Sequence, residues 1–181
     1  MLLDTELTSW INGFAGHSAI LDAVMLFFAK ISVYLMVLAV ALRWFWRGGR
    51  AHNRHVAISC GLAAAAGLAV NQLILMGFDR IRPYDLGVTK LIVDKSADPS
   101  FPSDHATLAF AIAFMLLLKK DRFARLFLAL AALVAVSRVY AGIHYMGDVV
   151  GGLAIGGLAA LAVNRLYAAG NWLDRRLIAI L

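Results

Sequence analysis

Cysteine is almost absent from this chain. Cys60 stands alone among 181 residues, inside an apolar run, which excludes an internal disulfide and a cysteine zinc cluster. Repeats and low-complexity linkers are missing and prolines number three, so nothing divides the chain and residues 1–181 read as one domain. Charge is sparse too, at 15% of residues. Apolar side chains take its place. Hydrophobic residues make up 62% of the sequence and mean hydropathy is +0.78, more than a soluble core of this length uses, so the chain is expected to be an integral membrane protein. The net charge of +6 raises the question of nucleic acid. The basic residues fall in short clusters between apolar runs and form no continuous face, so no nucleic-acid partner is expected.

A crossing needs about 20 apolar residues to span roughly 30 Å of hydrocarbon. Runs at about 20–43, 55–78, 104–119, 124–141 and 147–167 meet or approach that length. The expected fold is all-α: a polytopic membrane helical bundle of five to six helices, with about five transmembrane spans plus an N-terminal interfacial helix. That first helix carries Leu3, Leu7, Trp10, Ile11 and Phe14 on one face, and the tail from Trp172 to Leu181 reads as interfacial in the same way. The first span lacks a basic leader and a cleavage site, so it is expected to be retained. With five crossings, Arg43, Arg47, Arg50 and Arg54, then Lys119, Lys120, Arg122 and Arg125, then Arg165, Arg175 and Arg176 all fall on one side. The positive-inside rule makes that side cytoplasmic. The loop 79–103 and the turn 140–147 then face the opposite, outer side of the membrane.

Those two outer segments hold the residues with chemical potential. His144 and Asp148 are four apart, so on a helix the carboxylate can accept the imidazole N–H and leave the other ring nitrogen free to attack phosphorus. The same pair can also serve only to anchor a helix end. Arg138 tips the reading toward an anion, because a planar fork of donors suits a phosphoryl group, whose transfer depends mainly on positioning and charge stabilisation. Ser103 stands where it can cap the third span, and the exposed N–H groups of that helix start are themselves a phosphate site. His105, two residues on, can act as a general acid. Arg82-Pro83 closes the second span in the same layer, where an arginine can snorkel or reach a phosphate. A metal held by His105, His144 and Asp148 is the competing arrangement, and the arginines argue against it because they repel a cation.

Arg82-Pro83, then Pro102-Ser103-Asp104-His105, then Ser137-Arg138 through His144 to Asp148 resemble the three-part signature of the type-2 phosphatidic acid phosphatase superfamily. These are membrane lipid phosphatases whose site is shared with vanadium haloperoxidases. The resemblance implies that His144 is the nucleophile, Asp148 its orienter and His105 the acid. It implies phosphate binding by Arg82, Ser103 and Arg138, with Ser137 and Asp104 in support and no metal or other cofactor.

Two positions depart from the pattern. The family places a lysine where this chain has Leu75, and a glycine where it has Asp104. Arg80 is one candidate for the missing charge. Lys30, a charge inside the first span, is another, unless it snorkels outward. The Asp104 form in a compact chain is most like the bacterial undecaprenyl-diphosphatase branch, which implies hydrolysis of undecaprenyl diphosphate through a phosphohistidine in lipid-carrier recycling. Phosphatidylglycerol phosphate or phosphatidate, a phosphotransferase, and a non-catalytic lipid-binding or transport subunit are the alternatives. Gly147, Gly151, Gly152, Gly156 and Gly157 line the fifth span with small residues, suited to close helix packing or to a homodimer face.

Overall fold

The computed structural model describes residues 2–170 and 172–180. It is all-helical, with eight α-helices among the described residues: α1 Leu2–Asn12, α2 Ala19–Lys30, α3 Ser32–Leu42, α4 Arg50–Leu75, α5 Asp104–Leu118, α6 Ala124–Tyr140, α7 Met146–Leu166 and α8 Trp172–Ile180. The expected five to six helices become eight because the first span is broken and the tail folds as its own helix. The break is at Ile31, where α2 and α3 meet at 48°. The Ser32 hydroxyl donates back to the Phe28 carbonyl (2.8 Å), the local bond by which serine bends helices. Leu181 of the expected interfacial tail lies outside the described residues.

Two helices, α4 and α7, are long and apolar enough to cross a membrane, and α2 with α3 and the 3-10 turn after it makes a third if the bent pair is one span. The 15 residues of α5 and 17 of α6 give lengths of about 22 and 25 Å at 1.5 Å per residue, shorter than the 26 residues of α4 and 21 of α7.

Helix α5 is the hub. Ala106, Ala109, Ala111, Ala113, Met115 and Leu116 are buried on all its faces, which fits a helix with almost no polar stripe. Helix α7 packs on it through glycine: a Cβ at Gly156 would stand 2.5 Å from the Thr107 carbonyl, and one at Gly152 2.9 Å from that of Ser103. The five glycines of this stripe all abut groups of the same chain, from Asp4 and Phe101 to Phe114. This close approach brings the start of α5 and the start of α7 together. The chain alternates direction, so residues 30–34, the long loop 76–103, the start of α5, the end of α6 and the start of α7 gather at one end of the bundle. The clusters around Arg43, Lys120 and Arg165 gather at the other.

Helix α1 turns its apolar side outward and its polar side inward. Leu2, Leu3, Leu7 and Trp10 are exposed, whereas Thr8 and Asn12 are buried against the loops of the first end. Asn12 donates to the carbonyls of Lys90 (2.9 Å) and Tyr140 (2.8 Å) and accepts from the Lys90 N–H (2.7 Å), which ties the long loop to the end of α6.

Candidate active site

His144 lies in the turn between α6 and α7 and is almost wholly buried. Its Nδ1 is 2.8 Å from the Ser100 carbonyl and 3.5 Å from Asp148 Oδ2. A carbonyl only accepts, so the proton is placed on Nδ1 and the lone pair on Nε2. The orienting acceptor expected at Asp148 is therefore in the first instance the Ser100 backbone, with the carboxylate behind it. Burial pushes the imidazole down from 6.5 to about 4. The Asp148 carboxylate pulls the other way, and the charges of Arg138 and Arg82 push it further down. At neutral pH the ring is uncharged, the state a nitrogen nucleophile requires.

Asp148 is fully buried and saturated. Its Oδ2 accepts from the Ser100 hydroxyl (2.5 Å) and the Tyr145 N–H (2.8 Å), and its Oδ1 from Arg80 Nη1 (2.6 Å). The other arm of Arg80 reaches Asp4 of α1 (2.5 Å), and its guanidinium lies over the Tyr145 ring at 4.0 Å. Arg80, expected as a substitute phosphate ligand, is thus spent on the carboxylate that backs the histidine. Asp4 also accepts from the Gly147 N–H (2.7 Å), and Thr8 from the Met146 N–H (2.9 Å). Helix α1 therefore caps α7 from outside, satisfying the donors that a helix start leaves open.

Ser103 precedes α5 but does not cap it with its side chain. Its hydroxyl is buried and has no hydrogen-bond partner among the described residues, and the same holds for Arg138 Nε. Arg138 is anchored by one arm, Nη1 donating to the Ala29 carbonyl beside the α2–α3 break (2.8 Å). Buried donors without partners are costly, so a pair of them marks a place where a polar ligand belongs.

Arg82 differs. Its Nε donates to the Asp98 carbonyl (2.7 Å), Nη1 to that of Ile143 (2.9 Å), and Nη2 to Ser96 Oγ (3.1 Å) and the Pro99 carbonyl (3.2 Å). With four of its five N–H groups engaged, it staples the long loop to the His144 turn and keeps one donor for an anion.

A cavity of about 310 Å³ opens here, lined by Lys30, Tyr34, Asp94, Ser96, His105 and Arg138, among others. The His105 ring meets that of Tyr34 edge-on at 6.1 Å. Lys30 pairs with Asp94 across the mouth at 3.1 Å, so this charge of the first span faces the site. Asp104 turns toward α4, accepting from Asn71 Nδ2 (2.6 Å). Ser137 points back along its own helix to the Val134 carbonyl (2.7 Å) and is occupied there. Among the described residues no three His, Cys, Asp or Glu side chains are grouped to hold a metal ion.

Ser100, Asp4, Thr8 and Tyr34 join the site without belonging to any motif of the sequence. Ser100 borders the Phe101-Pro102-Ser103 fragment, which is a usable signal for it. Asp4 and Thr8 share one helical face with Asn12, a polar stripe opposite the apolar one.

The model of the PAP2 superfamily matches residues 55–172, which holds the whole three-part signature from Arg82 to Asp148. The chain belongs to the PAP2 superfamily. This PAP2 protein is 29% identical over 153 residues to the undecaprenyl-diphosphatase BcrC of Bacillus subtilis (strain 168), covering 84% of this chain and 78% of that one. It is 30% identical over 177 residues to YbjG of Escherichia coli (strain K12), a candidate undecaprenyl-diphosphatase, covering 97% and 88%. Its fold is similar to the crystal structure of Aquifex aeolicus LpxE, with a TM-score of 0.73 at 23% identity over 88% of this chain and 93% of that one. It is an integral-membrane phosphatase of the PAP2 type.

Proposed function

We propose that this PAP2 phosphatase removes the terminal phosphate of undecaprenyl diphosphate without a metal, through a phosphohistidine on His144. The observation that carries the reading is the pair of buried, unpartnered donors, Ser103 Oγ and Arg138 Nε, set beside a histidine whose Nε2 is free. Unpartnered buried donors at the start of α5 and the end of α6, with uncharged imidazole in the turn that follows α6, suit a tetrahedral oxyanion that is to be attacked. The terminal phosphate takes these donors and the N–H groups at the start of α5, with the last N–H of Arg82 and the Lys30 ammonium at its edge.

Nε2 of His144 bonds to the terminal phosphorus as the bond to the bridging oxygen breaks. His105 gives that oxygen its proton, so lipid monophosphate leaves. His105, now a base, takes a proton from water, whose oxygen attacks phosphorus and breaks the N–P bond. Inorganic phosphate departs and both histidines return to their starting states. The Ser100 carbonyl holds the Nδ1 proton throughout, and Asp148 stabilises the positive ring that forms during attack.

The lipid assignment draws on the similarity to BcrC and YbjG and on the compact chain. Five crossings would put the site on the periplasmic or exterior face of a bacterial inner membrane, where this lipid is released after use in wall assembly. Phosphate release by purified protein in detergent with chelator, from undecaprenyl diphosphate beside phosphatidylglycerol phosphate and phosphatidate, tests it. Preference for the diphosphate is expected. Preference for either phospholipid overturns the lipid assignment and leaves the chemistry in place.

A further inference from the structure

A second cavity, of about 690 Å³, lies at the end of the bundle away from His144. The 15 residues of α5, about 22 Å, separate the two ends, so an anionic group held here is not the phosphate being cleaved. One wall is apolar, made by Leu42, Leu126 and Phe127, and Leu42 and Leu126 are open to the surroundings of the bundle. The rim is basic, made by Arg43, Lys120 and Arg122.

Asp121 is the only carboxylate in the lining among the described residues, and it is consumed internally, bound to Arg43 Nη2 at 2.5 Å and accepting from the Phe123 N–H at 2.9 Å. Arg43 balances Asp121, so Lys120 and Arg122 leave the rim with a net positive charge. Arg43 Nε is buried with no partner among the described residues. The Arg122 guanidinium is shelved on Phe123 at 4.6 Å and on Trp46 at 5.7 Å, which holds its charge at the rim. Lys120 has φ +53, a left-handed conformation at a helix end where glycine is the usual occupant. A lysine there places a charge at the rim at a cost in backbone strain.

We propose that this cavity is a binding site for an acidic phospholipid, its phosphate group in the Arg43, Lys120 and Arg122 rim and an acyl chain along Leu42, Leu126 and Phe127. A bare phosphate would leave the apolar wall uncovered, and a zwitterionic headgroup would bring its own cation against the basic rim. Acidic lipids match both halves, and basic clusters at a membrane surface attract them.

Trp46 lines the cavity and reports on it. The difference in fluorescence between the unmodified chain and Trp46→Phe isolates its signal, read in vesicles containing brominated phosphatidylglycerol or brominated phosphatidylcholine. Several-fold stronger quenching of Trp46 by the acidic lipid is expected. The excess is expected to vanish in a Lys120→Gln, Arg122→Gln double variant that still releases phosphate at the normal rate, and to shrink with salt in the unmodified protein. Equal quenching by the two lipids overturns the site. So does an excess that persists in the double variant or, should that variant fail to fold, an excess indifferent to salt.

Discussion

Ser103 separates two uses of a serine at a helix start. A capping serine replaced by alanine costs about 1 kcal/mol of stability. Here the hydroxyl bonds to nothing in the protein, so Ser103→Ala is expected to leave the thermal midpoint nearly unchanged and to raise KM about tenfold, as for a lost hydrogen bond to a charged group. A lowered midpoint with unchanged KM would return the residue to a structural role. His144 yields a pH test. Burial lowers its pKa to about 4 from 6.5, so protonation removes the nucleophile only as pH falls through that lower value. The acid limb of kcat/KM, which reports the free enzyme, is expected well below 6.5. A limb at the ordinary histidine value would mean that the ring is solvated. The two spare cations divide by the same logic. Lys30 lines the cavity while Arg80 grips Asp148 and Asp4, so Lys30→Met is expected to act mainly on KM and Arg80→Met mainly on kcat.

Helix α1 has the look of an interfacial anchor, yet its buried face does the positioning. Asp4 and Thr8 hold the first N–H groups of α7, and Asp4 steadies Arg80 against Asp148. Asp4→Asn keeps the shape and removes the charge. It is expected to lower kcat several-fold with little change in KM, and a loss of protein from the membrane without that kinetic change would reduce α1 to an anchor. The contact of α5 with α7 admits no added bulk. Gly156→Leu would drive its side chain into the Thr107 carbonyl and the Ala111 nitrogen, and should abolish folded protein where Gly49→Ala, with nothing near its Cβ, costs only its left-handed backbone preference. Yield and thermal midpoint in detergent measure both.

At the scale of the whole molecule, the helices from 50 to 166 were legible because apolar runs ended at charge clusters, signals that survive any detail of packing, whereas Pro83, expected to close the second span, lies in the loop beyond the end of α4 at Leu75. The break at Ile31 was not legible, because it depends on a serine bonding backward and on Arg138 taking the Ala29 carbonyl from a distant helix. The site divides in the same way. His144, Arg138 and Ser103 announce themselves by rare chemistry in an apolar chain. Ser100 holds His144 through its backbone carbonyl, which no side-chain pattern encodes, while Arg82 spends four of its five N–H donors, and Ser137 its hydroxyl, on the protein. Orientation in the membrane is a further expectation of the charge pattern. In a Cys60→Ser background, a membrane-impermeant maleimide on intact cells is expected to label Ala97→Cys in the long loop and to spare Ala51→Cys at the basic end. The reverse pattern would invert the topology.

The most direct test of the chemistry is to catch the phosphoryl group on the protein. Metal-free protein mixed with lipid diphosphate and quenched in alkali, where a phosphorus–nitrogen bond survives, is expected to carry phosphoryl mass on the peptide containing His144. The label should be slow to appear in His105→Ala, which lacks both the acid for its formation and the base for its hydrolysis, and be absent in His144→Ala. Phosphate release by His144→Ala at the normal rate, or phosphoryl mass on any other residue, would contradict the assignment of the nucleophile.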